Sequence, residues 1–439
     1  MKITFMGAGS SVFAKNVLGD AMSTPALQDC EMALYDIDGE RLKQSKAILE
    51  AINGGKGKKT RIKTYLGKEN RQAALQDARF VINAIQVGGY EPATVIDFEI
   101  PKKYGLRQTI GDTLGIGGIM RALRTIPVVE GFAQDMEKVC PEAWFLNYTN
   151  PMSMLAGYIQ RYTGVKTLGL CHSVQVCSEH LLRALGMEDE LEGRIERIAG
   201  INHMGWLLEI RNRAGEDLYP EIKKRAREMN RSIKHRDMVR YDYIEKFGYY
   251  CTESSEHNAE YNPFYIKSRY PELIERFNIP LDEYPRRCER QIERWAGEYK
   301  TLSEKKVLEH QRSHEYASYI MEAMVTGKPY SLGGNVLNRG LIENLPPEAC
   351  VEVPCMIDNS GVNPCYVGAL PPQLAAMNMS NINVHLLTIA AARTRRREHI
   401  YHAAMMDPHT AAELSLDDIV KMVDELIKAH GKFMPAYKK

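Results

Sequence analysis

The sequence predicts an α/β protein: an N-terminal Rossmann-type, doubly wound parallel sheet packed against a C-terminal α+β catalytic region. Three observations carry this expectation. The chain opens on an apolar run that breaks into glycines, KITFMGAGSS. A second apolar run, EMALYDID, ends in acid. Further apolar runs up to about residue 170 (RFVINAIQ, AWFLNYTNP and KTLGLCH) alternate with stretches of helical spacing. Strands separated by helices imply parallel pairing, because a parallel partner is reached only through a crossover.

Taken in order, ITFMGAG is a strand and its turn, and SVFAKNVLGDAM the first helix. RLKQSKAILEAING reads as an amphipathic helix closed by Asn53-Gly54, residues that tolerate a helix-ending backbone. Arg107 to Arg124 carries glycines at 111, 115, 117 and 118, which predict a mobile loop over the substrate before the helix IMRALR. After about residue 195 the texture changes. RIERIAGINHMGWLLEIR reads as strand, loop, strand, followed by polar helices. NVLNRG and ACVEVPCMID read as strands, and QLAAMNMSNINVHLLTIAAARTRRREHIYHAAMM as a long helical region. SLDDIVKMVDELIKAHG starts at an N-cap Ser415 and ends at Gly431. The expected division is residues 1–195, a dinucleotide-binding domain, and 196–439, an α+β domain for catalysis, substrate and oligomerisation.

Composition narrows the function classes. In 439 residues, 57 basic and 56 acidic side chains leave a formal charge of +1, which argues against nucleic-acid and membrane-surface partners. The basic run RTRRRE, residues 393–398, follows a helical pattern and reads as a solvated helix end. No run of about eighteen apolar residues marks a membrane span. The opening MKITFMGAGSS lacks the apolar core of a signal peptide, and nine cysteines fall without CxxC pairs. The expectation is a cytoplasmic enzyme with reduced thiols.

Six segments can carry chemistry. Gly7, Gly9, Ser10 and Ser11 form a turn whose glycines admit a pyrophosphate against the start of a helix. Asp36, ending the second strand, suits the ribose hydroxyls and favours NAD over NADP, whose extra phosphate it would repel. Cys171 and His172 follow the strand KTLGL, where a thiolate and an imidazole suit a metal or a nucleophile. His203, between two strands, can complete a metal site with Cys171. Asn150, in the NYTNP turn, can bond a sugar. Residues 251–265, CTESSEHNAEYNPFY, are too polar to be core; Glu253 and Glu256 can be a carboxylate pair, and Tyr261 a base. The sixth segment is the glycine-rich stretch from Arg107 to Arg124.

Together these segments resemble glycoside hydrolase family 4, along essentially the whole chain. The matching stretches include KITFMGAGS, GGYEPATVIDFEI, QTIGDTLGIGGIMRALRTIP, LNYTNPM, GLCHSVQ, AGINHM and ESSEHNAEY. Within the family, TESSEH and YHAAMMDPHTAA are similar to the subgroup acting on α-galactosides. The resemblance implies NAD and a divalent ion, Mn2+ or another, as cofactors. It also implies C3 oxidation, elimination across C1–C2, water addition and re-reduction, instead of two-carboxylate hydrolysis. Cys171 and His203 correspond to metal ligands, His172 to the acid for the leaving group, and Tyr261 to the base, with a nearby carboxylate as the other choice. Asn150 and Arg287 correspond to substrate-binding residues, with Arg286 an alternative to Arg287. The implied substrate is a small-molecule α-galactoside such as melibiose. His172, in place of Asp or Asn, and the lack of Lys or Arg in GGYEPATVIDFEI favour a sugar without phosphate. An α-glucosidase, an α-glucuronidase and a lactate/malate-type dehydrogenase are the alternatives. A homodimer or homotetramer is the implied assembly.

Overall fold

The computed structural model describes residues 1–303, 307–313 and 315–438, with the side chains at 11, 296, 298 and 300–303 outside that description. Six strands come first: β1 (Lys2–Met6), β2 (Glu31–Asp36), β3 (Arg61–Leu66), β4 (Phe80–Asn83), β5 (Trp144–Asn147) and β6 (Lys166–Gly169). They pair in parallel in the order β3-β2-β1-β4-β5-β6. This is the dinucleotide-binding order, with its reversal between β1 and β4. Parallel connections are right-handed as a rule, so crossovers running outward from β1 in both directions place helices on the two faces. Burial follows position. Central β4, FVIN, is buried at every residue, whereas edge strand β3, RIKTYL, is largely exposed and polar.

The second half extends the same sheet. It contributes β7 (Ile195–Ile201), β8 (Met204–Arg211), β9 (Tyr250–Cys251), β10 (Tyr330–Leu337), β11 (Cys350–Asp358) and β12 (Gly361–Pro364). From β6 the order continues β10-β11-β7-β8-β9, all antiparallel, with β12 paired to β11. The junction is narrow: Asn335 of β10 faces Gly169 of β6. A Cβ at Gly169 would stand 2.7 Å from Met152 Sδ and 2.8 Å from Asn335 Cβ, so glycine is needed for the two sheet halves to meet. The α/β class is as the sequence predicts. The boundary read at 195/196 falls at the first residues of β7.

Two expectations are corrected. The stretch from Arg107 to Arg124 is not a mobile cover: Gln108 to Leu114 is buried, and the helix Gly115–Val139 is buried through its first three turns. The physical reason is Glu260, whose carboxylate accepts the N–H groups of Thr109 (2.7 Å), Ile110 (3.3 Å) and Gly111 (2.8 Å). The polar segment 251–265 is likewise interior. Its short helix Ser255–Glu260 is buried at every position, because its polar groups find partners inside the protein. A smaller difference concerns Asn53-Gly54. The helix Gly39–Gly55 runs through it, and Asn53 instead donates to Thr60 O at 2.7 Å. At the C-terminus, Ser415 caps the helix Leu416–His430 as expected, its hydroxyl accepting from Asp418 N at 3.2 Å. No helix among the described residues is long and apolar enough to cross a membrane.

Candidate active site

The glycine loop follows β1 directly. Gly7 holds φ +87°, and a Cβ there would lie 2.7 Å from Ala84 O, just past β4. Its N–H and that of Ala8 both donate to Tyr35 O at 3.0 Å, so the turn is pulled over the end of β2. Ser10 is exposed at the start of helix Ser11–Ser23, and its side chain caps none of the first N–H groups. These donors are the ones an anion takes at a helix N-terminus. Asp36 lies beneath the loop, where it accepts from Gly9 N (2.6 Å), Ile37 N (2.8 Å) and Asp38 N (3.0 Å). The Ser11 side chain lies outside the described residues.

Ala84, Ile85 and Gln86, beside this loop, form one wall of a cavity of about 360 Å³. Asn150, Cys171, His172, His203, Glu253, His257 and Arg121 also line it. The topology brings them together. Asn150 follows β5, Cys171 follows β6, His203 sits in the two-residue turn between β7 and β8, and Glu253 follows β9. Parallel and antiparallel parts of the sheet thus share one rim.

Cys171, His203 and Glu253 each offer a ligand atom, all within 4.8 Å of one another. His203 Nε2 is 3.3 Å from Glu253 Oε2, and His203 Nδ1 is 3.1 Å from the Tyr261 hydroxyl. Burial works against a charge on His203, but the neighbouring Cys171 and Glu253 outweigh burial and raise it to about 10. Burial would raise Glu253; His257 and His203 pull it down to about 2. A thiol, an imidazole and a carboxylate gathered this closely in a buried pocket make a donor set that a divalent cation would complete. His257 is pushed down by burial; its Nδ1 contacts the Ser254 hydroxyl at 2.7 Å. Burial, with Asp112, Glu260 and Glu253 nearby, pushes the Tyr261 phenol well up.

His172 stands at the cavity edge with Phe13, Tyr148 and Tyr316 around its ring. Its Nε2 meets Glu315 Oε2 at 2.6 Å. The cavity therefore gathers Asn150, Cys171, His172 and His203, with Tyr261 directly behind His203. Arg287 is outside the cavity lining, its guanidinium engaged by Glu256 and by Glu283 (3.1 Å). Glu256 is thereby withdrawn from any pairing with Glu253 across a substrate. Arg286 is also engaged by Glu283, at 3.0 Å. The residues that sequence reasoning missed are Arg121, Asp112 and His257, together with a ligand role for Glu253. Nothing in their spacing marks them; only the fold aligns the end of β9 and the start of helix Gly115–Val139 with β6.

Residues 2–187 match the family 4 glycosyl hydrolases and residues 198–410 the C-terminal domain of the same family. The chain belongs to glycosyl hydrolase family 4. It is 60% identical over 437 residues to an alpha-galactosidase of Bacillus subtilis (strain 168), covering 100% of each chain. It is 36% identical over 446 residues to an alpha-galactosidase of Rhizobium meliloti (strain 1021), covering 99% of this chain and 89% of that one. In three dimensions it is similar to a 6-phospho-alpha-glucosidase from gut microorganisms solved in complex with NAD and Mn2+. That TM-score is 0.83 at 20% identity, covering 100% of this chain and 99% of the other, a likeness of fold.

Proposed function

We propose that this chain is an NAD- and divalent-metal-dependent α-galactosidase acting on unphosphorylated, melibiose-like α-galactosides. The observation that carries the reading is the 60% identity, along the full length, to a protein named alpha-galactosidase. The donor set supports the ion: one thiolate, one imidazole and one carboxylate suit a first-row divalent cation such as Mn2+. The loop supports the nucleotide. Gly7 and Gly9 leave space where a Cβ would meet Ala84 O or Asp36 Oδ2, and Gly9, Ser10 and Ser11 open a helix. When bound, NAD supplies a reversible hydride acceptor for C3 and the ion a Lewis acid for the sugar oxygens.

The protein's own groups do the rest. Cys171, His203 and Glu253 hold the ion, and Asp36 exchanges backbone partners for ribose hydroxyls. Tyr261 takes the C2 proton; buried as it is, its phenol gives up its own proton only beside a positive charge, which the neighbouring site provides. His172, oriented by Glu315, gives a proton to the leaving oxygen at the open edge, where an aglycone has room. Asn150 binds the sugar, and Arg287 reaches it by trading a carboxylate partner for substrate oxygens. The chain divides functionally at 195/196 into a nucleotide half and a catalytic half, and works as a cytoplasmic homodimer or homotetramer.

The test is purified protein with NAD, Mn2+ and reductant on a panel of aryl α-glycosides. Release of galactose without accumulating NADH is the expected result. Hydrolysis restricted to 6-phosphorylated glycosides, or NADH formed one for one with product, would overturn the reading.

A further inference from the structure

Arg121 and Arg124 lie one turn apart on the helix Gly115–Val139, and both are buried, at 8% and 1% exposure. Their surroundings differ. Arg124 spends its guanidinium on Asp97, through contacts of 3.1 and 2.6 Å, and on Val87 O at 3.1 Å. Arg121 has one hydrogen bond among the described residues, a long one of 3.3 Å to the Tyr284 hydroxyl. Its guanidinium otherwise faces the cavity that holds Cys171, His203 and Asn150. Tyr284, Asp112 and Asp97 offset the cost of burying its charge, but its hydrogen bonding is incomplete, so the remaining N–H groups suit a partner that arrives with the ligand.

The partner's chemistry follows from the neighbours. Asp112 and Glu253 already bring negative charge near Arg121 and the ligand cluster, and His257 Nε2 is 3.8 Å from Asp112 Oδ1. An anionic sugar would add a further negative charge to this group; a neutral polyol would not. A planar fork of N–H groups matches two adjacent oxygen acceptors. In the α-galactosidase reading the ion would be needed at the oxygens on C2 and C3, where proton loss and oxidation occur, and that would leave the hydroxyls O4 and O6 for the protein to read. The O4 of galactose is axial and leaves one face of the ring, whereas that of glucose is equatorial and lies near the ring plane, so a rigid fork placed for the axial O4 and O6 does not fit the glucose O4.

We propose that Arg121 is the specificity-determining residue of this site, donating a two-pronged hydrogen bond to O4 and O6 of the galactose ring. The inference rests on the α-galactosidase reading. Unlike Arg287, Arg121 needs no carboxylate partner to be released before it binds.

The experiment compares wild type, Arg121→Lys and Arg121→Met, each loaded with NAD and Mn2+. The substrates are 4-nitrophenyl α-galactoside, its 4-deoxy and 6-deoxy analogues and the matching α-glucoside. Galactose binding is followed in parallel by calorimetry. Both variants are expected to lose about 10- to 100-fold in kcat/KM on the galactoside, the worth of a hydrogen bond to a charged donor. They should lose little on the 4-deoxy analogue, narrow the galactoside-to-glucoside ratio and weaken galactose binding. Unchanged melting and NAD titration verify folding, and Arg121→Lys carries the comparison if Arg121→Met does not fold. Equal losses on parent and deoxy substrates, or no loss, overturn the assignment while leaving the α-galactosidase reading intact. A wild-type enzyme inactive on the galactoside overturns that reading, and this inference with it.

Discussion

His203 Nε2 faces Glu253 Oε2 at 3.3 Å, and both residues hold left-handed backbone, at φ +63° and +65°. Left-handed φ is unfavourable for side chains with a Cβ, so two such residues meeting at one point mark a site where position outweighs local stability. The hairpin turn between β7 and β8 aims one, and the loop after β9 aims the other, at the Cys171 thiol.

From this arrangement, Cys171→Ser and Glu253→Gln are each expected to weaken Mn2+ binding about 10- to 100-fold while leaving NAD affinity within about threefold. Calorimetric titration of both ligands checks this. Cys171→Ser should also be severely impaired in hydrolysis, and wild type should lose activity in aerated buffer as the thiol oxidises. Near-normal ion binding by Cys171→Ser would remove the thiol from the site.

Tyr261→Phe tests the proton step. If the phenol takes the C2 proton, the variant falls at least about 100-fold in kcat and stops exchanging the C2 hydrogen in deuterated water. Its Mn2+ affinity should change less than about threefold. A large drop in Mn2+ affinity with exchange preserved would mean that the 3.1 Å contact merely orients His203.

Gly7→Ala places a Cβ at φ +87° and 2.7 Å from a backbone oxygen that cannot move cheaply. The expected outcome is about 1–3 kcal/mol of destabilisation and at least tenfold weaker NAD binding. Thermal melts and NADH fluorescence titration read the two effects separately.

Glu352 is fully buried on β11, and burial pushes its carboxyl up to about 7 even though Asn335 donates to it at 3.0 Å. The folded state therefore keeps a proton that the unfolded chain releases near pH 4.5. Stability should fall as pH rises from about 4.5 to about 7 and stay lower above that, by on the order of 3 kcal/mol. Glu352→Gln should flatten this fall, giving a melting temperature above wild type at pH 8 and near it at pH 4.5. Parallel pH profiles for the two proteins would contradict it.

Local chemistry made much of the molecule legible. Apolar runs ending in glycine or acid located β1, β2 and the glycine turn between β1 and its helix, because strand ends and tight turns are set within a few residues. Cys171, His172 and Asn150 were recognisable because strand-to-helix turns of a parallel sheet present their residues at one edge. Arg287 is different, because its partners are set by the tertiary fold. The family resemblance assigns it to the substrate, but Glu256 and Glu283 claim its guanidinium in the folded chain.

By itself the sequence determined the α/β class, the glycine turn after β1, the pairing of a thiol with an imidazole, and the family. All of these rest on short-range pattern or extended similarity. The tertiary structure alone decided that CTESSEHNAEY is interior, that the glycine-rich stretch is pinned by Glu260, that Glu253 joins Cys171 and His203, and that Arg121 faces the cavity. Each depends on partners that lie far apart in the chain and meet only when the antiparallel strands continue the parallel sheet. A polar segment reads as surface until the groups that satisfy it are in place.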